Sequence, residues 1–237
     1  MSPTDFSWEP AYIVLAALAA LAYARGDRPS RWRLASFAAG LVLVAAPLNS
    51  PMETIASKRL LLIHLVQNAL IADVAPILVL LGLTPAMKAW LEHHGAARIR
   101  ARWAIVAWLA AWYGTHLAGF YNWALDTGWA LNIEHGLLIL GGLLFWWPIV
   151  SERLPAPAAI AYLGAGFVAS SFLGLAFIFS SHPFYSFYVH APRLWGFSAI
   201  RDQNLGGIAM NGEQTLVFLV AIGWYVSRLL KEDEQTA

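Results

Sequence analysis

The chain has 237 residues, of which 59% are hydrophobic and only 12% are charged, whereas soluble domains carry about 25% charged residues. This composition, with a mean hydropathy of +0.58, indicates an all-α polytopic membrane protein with a single transmembrane domain over residues 1–237. The net charge of +1 argues against a nucleic-acid-binding protein, because no basic patch is large enough to neutralise a row of phosphates. The sequence contains no cysteine, so any soft metal must be bound by Met sulfur and His nitrogen.

At about 20 apolar residues for each crossing, the sequence predicts a seven-helix transmembrane bundle. The predicted spans cover residues 8–24, 34–48, 60–83, 103–118, 129–150, 158–179 and 205–229. Most of the 15 Lys and Arg residues lie in the first, third and fifth loops and at the C-terminal end. The positive-inside rule therefore predicts an N-terminus outside the cell and a C-terminus in the cytoplasm.

Residues 60–82 of the third predicted span, LLLIHLVQNALIADVAPILVLLG, include polar residues that an ordinary membrane anchor lacks. A charged Asp at the centre of such a helix costs roughly 2.5–3.5 kcal/mol on insertion scales. At about 100° per residue, Gln67 and Asn68 share a face with His64, whereas Asp73 lies on the opposite face. We therefore expect a central helix that is covered by protein on both faces and is kinked near Pro76.

Three histidines on three predicted spans lie at a similar depth near the outer side. His64 is about one turn into the third span, His116 is near the outer end of the fourth, and His135 is about two turns into the fifth. Met210 lies at the outer end of the seventh predicted span, and Met52 lies in the outer loop before the third. Neutral imidazoles combined with thioether sulfur suit copper, since Cu(I) prefers the sulfur and Cu(II) the nitrogens. The shared depth therefore predicts a metal site.

Other ligands and roles fit the same residues. Zinc binds histidines, and Glu134 would serve as a fourth ligand, whereas haem b is held by two histidines that face each other across a helix bundle. A channel or secondary transporter would use Asp73 and Glu213 to line a path, although the polar residues are concentrated in the outer half. The spacing of the histidines does not choose between copper, zinc and haem.

The remaining polar candidates lie outside the spans or at their ends. His93 and His94 are expected on the solvated surface of a basic inner loop, whereas His182 and His190 in an outer loop are open candidates. Asp202, at the start of the seventh span, is expected either to attract cations or to cap a helix N-terminus.

Three separated motifs carry a resemblance to known proteins. They are HLVQNALIADVAPILVLLGLTP (64–85), THLAGFYNWALDTGWALNIEHGLLILGGLLFWWPI (115–149) and RDQNLGGIAMNG (201–212), preceded by SPMETIAS (50–57). Together they resemble the CtaG family of cytochrome c oxidase assembly factors over about residues 49–229. The resemblance implies a seven-helix, non-enzymatic protein of the bacterial plasma (inner) membrane that supplies copper to the CuB centre of haem-copper oxidases. The implied partners are oxidase subunit I and a periplasmic copper chaperone.

The chain departs from the family pattern at four positions. Asn68 and Asn132 stand where the family has histidines, Ile77 replaces a Pro, and Asn211 replaces a Trp. Because an Asn amide is a poor copper ligand, we expect Asn68 and Asn132 to orient the histidines that remain. The predicted copper ligands are then His64, His116, His135, Met210 and Met52. A b-type haem protein and a metal-free scaffold for oxidase assembly are the alternatives.

Overall fold

The structure is a computed structural model that describes residues 2–236, with side chains described as far as Lys231. The described residues are mostly helical, which confirms the all-α fold. The first helices are α1 (Pro10–Ala24), α2 (Arg31–Leu48), α3 (Pro51–Lys58), α4 (Leu61–Ala69), α5 (Ala75–Gly82) and α6 (Pro85–His93). They are followed by α7 (Ala101–Thr115), α8 (Ala118–Asp126), α9 (Gly128–Val150), α10 (Ala156–Phe179), α11 (Ser186–His190) and α12 (Ala199–Thr236).

Among the described residues, five helices are long and apolar enough to cross a membrane. They are Arg31–Leu48, Leu61–Gly82, Gly128–Val150, Ala156–Phe179 and Ala199–Lys231. The predicted count of seven spans is not confirmed, because α1 and α7 have 15 residues each. At 1.5 Å per residue such a helix is about 22 Å long, shorter than a hydrocarbon core of about 30 Å. The five helices fit a multi-pass membrane protein.

The span Leu61–Gly82 is the central helix of the bundle, as its polar faces predict. In its 18-residue apolar stretch, 61% is buried inside the protein, against 28–56% in the corresponding stretches of the other four spans. Between α4 and α5 the chain forms a π-helical segment, Leu70–Val74, just before Pro76, which has no N–H to offer the Ala72 carbonyl. Gly142 of α9 packs against this carbonyl so closely that a Cβ would lie 1.8 Å from its oxygen. The irregularity therefore falls where the sequence predicts a kink.

Helix α12 begins at Ala199, six residues before the predicted span, so Met210 lies about three turns into the helix and not at its start. The early turns contain Asp202, which is buried. Its carboxylate accepts hydrogen bonds from the backbone N–H groups of Leu61 and Leu62, both at 2.9 Å. Asp202 thus caps the N-terminus of α4, so its capping role is exerted on a neighbouring helix.

Two glycines of α12 allow close contacts with neighbouring helices. A Cβ on Gly206 would lie 3.2 Å from Leu62 Cα of α4, and one on Gly207 would lie 2.8 Å from a backbone oxygen of α10. Met210 follows Gly206 by about one turn of α12. We call the end at which α4 and α12 begin the outer end of the bundle.

Between residues 2 and 231, most of the buried apolar side chains belong to two clusters. The outer core, near the outer end, includes Tyr12, Trp112, Tyr121, Tyr188 and Met210. The inner core consists largely of aromatic and aliphatic side chains, among them Trp108, Phe145, Trp146, Tyr162 and Phe218.

Candidate functional site

His64 lies in the first turn of α4 and is fully buried. Its Nδ1 is 2.8 Å from the hydroxyl of Tyr188, and that hydroxyl donates to the Ala56 carbonyl at 2.6 Å. Burial raises the pKa of Tyr188 well above its usual range, so the hydroxyl keeps its proton. Because this proton goes to Ala56, the hydrogen-bond network assigns the imidazole proton to His64 Nδ1, which donates to the Tyr188 oxygen. His64 Nε2 therefore carries a lone pair, and it has no hydrogen-bond partner.

The free Nε2 of His64 faces a buried carboxylate. Glu134 Oε1 lies 3.5 Å from this nitrogen and accepts a hydrogen bond from Asn68 Nδ2 at 3.0 Å, while Oε2 has no partner. Two ligand atoms that are 2.0–2.1 Å from one tetrahedral metal ion lie about 3.4 Å apart. The separation of Nε2 and Oε1 is therefore compatible with joint ligation of one ion.

His135 of α9 is the second histidine beside His64 and Glu134. Its ring centroid is 5.8 Å from that of His64, and the edge of Tyr12 packs beside it at 6.2 Å. The side chain is fully buried, yet neither ring nitrogen has a hydrogen-bond partner. Leaving a buried polar group unpaired costs about 1–3 kcal/mol, so such an imidazole in a core indicates a bound ligand or water.

His116 directly follows the last residue of α7 and is separated from His64 by an aromatic ring. Its Nδ1 donates to the Trp112 carbonyl at 2.7 Å, and its Nε2 has no partner. Tyr121 lies between this histidine and His64, with ring centroids 5.6 Å from His116 and 5.0 Å from His64. The structure thus brings His64 and His135 together and leaves His116 on the far side of a tyrosine ring.

The two candidate methionines are placed differently. Met210 is fully buried in the outer core, one turn along α12 from Gly206, which packs on α4. Met52 is partly exposed in the first turn of α3, where its N–H donates to Ser50 Oγ. Its neighbour Glu53, and not Met52, is hydrogen bonded to the histidine-bearing helix.

Three amide side chains around the site each donate to a carboxylate. The pairs are Gln67 with Glu53 at 2.6 Å, Asn68 with Glu134 at 3.0 Å, and Asn132 with Glu9 at 2.5 Å. The expectation that Asn68 and Asn132 orient histidines is wrong, because their amide nitrogens bind carboxylates instead. Burial raises the pKa of Glu53 to about 7, although its hydrogen bond from Gln67 opposes the rise.

Sequence reasoning missed four residues of this site: Glu9, Glu53, Tyr121 and Tyr188. One signal was present, since Glu53 lies in the motif SPMETIAS. The tyrosines could not be distinguished from the interfacial aromatics that are common in membrane proteins.

The segment 180–198, which we call the cover segment, lies across the outer end of the site. Tyr185 donates to the His116 carbonyl at 2.9 Å, and Tyr188 contacts His64 as described. Arg193 binds the Tyr188 carbonyl and lies 3.6 Å from Asp202. The cover segment therefore connects two candidate ligands to the cap of α4.

The other histidines are all exposed. His93 and His94 lie at the end of α6, as expected for a solvated loop, and His182 lies in the cover segment. His190 lines an outer pocket of about 730 Å³ together with Lys58, Arg59 and Asp126. None of these four histidines is part of the buried cluster.

Within residues 2–236, no group of three or more His, Cys, Asp or Glu side chains is arranged to hold a metal ion. The group of residues that most resembles a set of metal ligands consists of His64, Glu134 and the adjacent His135. What marks this position is a concentration of buried nitrogen and oxygen atoms without partners. Such atoms suit a cation that accepts imidazole and carboxylate ligands.

Comparison with known protein families gives a match that covers nearly the whole chain. The family described as cytochrome c oxidase caa3 assembly factor (Caa3_CtaG) matches residues 12–232. Searches of curated proteins and of solved structures found no match. The family match confirms the resemblance seen in the motifs and extends it towards the N-terminus to include α1 and α2. The chain belongs to the family of cytochrome c oxidase caa3 assembly factors.

Proposed function

We propose that this assembly factor is a non-enzymatic protein that binds copper within the membrane and delivers it to the CuB centre in subunit I of a haem-copper oxidase. Membership of the family supports a role in oxidase assembly and an association with the oxidase. The observation that carries the copper proposal is the buried cluster of His64 and His135, in which three imidazole nitrogens have no hydrogen-bond partner.

The arrangement suits a metal that is carried and then released. His64 Nε2 and the His135 ring are the principal ligands, and Glu134 supplies an oxygen at 3.5 Å from His64 Nε2. Tyr188 fixes the tautomer of His64, as hydrogen-bond partners commonly do for metal-binding histidines. Met210 of α12 adds a soft sulfur, which favours Cu(I), whereas the nitrogen and oxygen ligands favour Cu(II).

The remaining candidate ligands, His116 and Met52, lie outside the pair formed by His64 and His135. His116 receives or hands on the ion from the far side of Tyr121, since its Nε2 is also free. Met52, partly exposed at the start of α3, is a contact point for a periplasmic copper chaperone. The charge distribution supports a plasma-membrane orientation with the N-terminus outside, so that the outer end of the bundle faces the periplasm.

The experiment is to purify the oxidase from cells that carry the wild-type factor, His64→Ala, His135→Ala or the control His190→Ala. His190 is an exposed histidine at the same end of the molecule. We expect both buried-site variants to lower the copper content of the oxidase while its haem content remains, and the control to behave as wild type. Each variant is first shown by immunoblot to be present in the membrane.

Normal oxidase copper in both buried-site variants would contradict the proposal. Loss of copper and haem together, with the oxidase failing to assemble, would also contradict it and would indicate a metal-free scaffold.

A further inference from the structure

Helix α1 is attached to the bundle at two points and leaves a space between them. Its buried residues are Tyr12 and Tyr23, and each hydroxyl donates to a backbone carbonyl of another helix. The two tyrosines are about three turns apart on one face of α1. Ala16 and Ala19 lie on the same face between them. Because both alanine side chains are small, they do not fill the space between the tyrosines.

Two cavities occupy this space, and Ala19 lines both of them. One has a volume of about 300 Å³ and reaches Tyr12, near the outer end of the bundle. The other has a volume of about 530 Å³ and lies between α1, α2 and α6, towards the opposite, inner end. Apart from Arg25 and Asp27 at the inner end, the residues that line the cavities are apolar or aromatic. We call the two cavities together the α1 groove.

The α1 groove is long enough for a lipid chain and is accessible from the side. From Tyr12 to Arg25 the helix rises by about 20 Å, whereas one leaflet contributes about 15 Å to a hydrocarbon core of about 30 Å. Leu15 and Leu140 line the groove and are each more than half exposed. The groove therefore opens on the apolar outside of the bundle, where an acyl chain of the surrounding lipid can enter it.

The inner end of the groove is positively charged. Arg25 lines this end and belongs to none of the ion pairs among the described residues. The segment 25–33 contains four arginines but only one aspartate, Asp27. Trp90 also lines this end and is 59% exposed, and exposed tryptophans are typical of the level of lipid headgroups. Basic pockets between membrane helices at this level bind anionic headgroups.

We propose that the α1 groove binds one phospholipid with an anionic headgroup. An acyl chain lies against Ala16 and Ala19, and the headgroup phosphate binds the guanidinium of Arg25. The chain supplies the packing that the two alanines do not. The outer end of the groove reaches Tyr12, whose ring centroid is 6.2 Å from that of His135, so the lipid supports the helix that packs beside the histidine cluster. This inference goes beyond the proposed copper delivery, because lipid binding requires no metal.

The test is native mass spectrometry of the delipidated full-length protein, titrated in detergent with phosphatidylglycerol or with phosphatidylcholine. The variants are Arg25→Gln, which removes the contact with the headgroup, and Ala19→Leu, which fills the groove. Their controls replace exposed residues that do not line the groove: Arg100→Gln, before α7, and Ala20→Leu, on α1. Because Arg25 is exposed, its substitution tests the proposal even where Ala19→Leu disturbs the packing of α1.

We expect the wild type to bind one phosphatidylglycerol per chain and to bind the zwitterionic phosphatidylcholine more weakly. Arg25→Gln is expected to weaken the binding of phosphatidylglycerol about fivefold, Ala19→Leu to weaken the binding of both lipids, and the controls to behave as wild type. Equal binding of the two lipids by the wild type, or equal affinities of Arg25→Gln and Arg100→Gln for phosphatidylglycerol, would overturn the proposal.

The same spectra distinguish a lipid from a second copy of the chain. A wild-type mass of two chains that Ala19→Leu returns to one chain would overturn the proposal, because the groove would then be a contact between protomers. None of these outcomes depends on copper delivery, which is measured on the oxidase.

Discussion

The tyrosines of the inner core and the histidines of the outer core differ in how their buried polar atoms are paired. In the inner core, the hydroxyls of Tyr23, Tyr162 and Tyr225 donate to backbone carbonyls at 2.9, 3.0 and 2.8 Å. In the outer core, His64 uses one ring nitrogen for a hydrogen bond and leaves the other free, and His135 leaves both free. Native structures pair most buried polar atoms. The inner tyrosines therefore serve packing, whereas the outer histidines are arranged for a ligand.

The substitution with the largest expected effect breaks the packing that positions the central span. Gly142→Ala would place a methyl group 1.8 Å from the Ala72 carbonyl oxygen, and no side-chain rotation relieves a contact with backbone. We expect a loss of about 3 kcal/mol in the free energy of unfolding, at the upper end of overpacking effects. Thermal unfolding in detergent measures the change.

The matched control for this prediction is Gly164→Ala in α10, where an added Cβ meets nothing within 4 Å. Because alanine favours a helix over glycine by about 1 kcal/mol, the control is expected to be neutral or slightly stabilising. Equal melting temperatures for both variants would contradict the close approach of α9 to the π-helical segment.

The next largest effect concerns the outer end, where Asp202 caps α4. Asp202→Ala leaves the N–H groups of Leu61 and Leu62 without their acceptors and is expected to destabilise the protein by about 2 kcal/mol. Asp202→Asn retains one acceptor oxygen, so its loss is expected to be about half as large. Hydrogen exchange of the first turn of α4 checks the mechanism, and unchanged protection of Leu61 and Leu62 would contradict it.

The same substitution, Tyr to Phe, can be made in each core, and it compares the role of an outer hydroxyl with that of an inner one. Tyr188→Phe deletes the acceptor that fixes the tautomer of His64, and losses of this kind weaken metal binding by about 10–100-fold. Tyr225→Phe deletes an inner-core hydroxyl that donates to the Ile149 carbonyl and is expected to leave copper affinity unchanged. Competition titration with a Cu(I) chelator measures both. Equal affinities in the two variants would refute the role assigned to Tyr188.

The smallest expected effect is the contribution of Glu53 to the pH dependence of the protein's stability. Burial raises its pKa from 4.5 to about 7, so the folded state binds this proton more tightly than the unfolded state does. The resulting stabilisation is fully present below pH 4.5 and is lost as the pH rises to about 7. Glu53→Gln is expected to flatten this part of the stability profile. An unchanged decline between these pH values in the variant would contradict the assignment.

Much of the fold follows from the sequence, because apolar runs and buried polar faces are local signals. The polar residues on opposite faces of residues 60–83 correctly indicate a central helix, and Pro76 correctly indicates its irregularity. The length of α12 was not predictable from hydropathy, because its first turn contains charged residues and is stabilised by the hydrogen bonds that Asp202 accepts from α4. Helix phase likewise indicates that Asn68 lies beside His64, but it does not show that Glu134 of α9 is the partner of the amide.

The sequence identifies the histidines and Glu134 of the candidate site as potential ligands, but it does not predict their hydrogen-bond partners. The similar depth of His64 and His135 in their spans correctly predicts that the two rings lie close together, since both residues are within two turns of an outer helix end. The ring of Tyr121 between His116 and His64 comes from α8, a short helix outside the predicted spans. Tertiary contacts of this kind leave no periodic signal in the sequence.

The central claim is that the outer histidine cluster binds copper, and metal analysis with an optical spectrum tests it most directly. Wild-type protein purified in detergent and loaded with Cu(I) is compared with the variant in which His64, His116 and His135 are all replaced by Ala. The account predicts stoichiometric copper in the wild type, its loss in the variant, and no Soret band in either. Wild-type protein that retains no copper after loading, or that shows a Soret band from bound haem b, would contradict it.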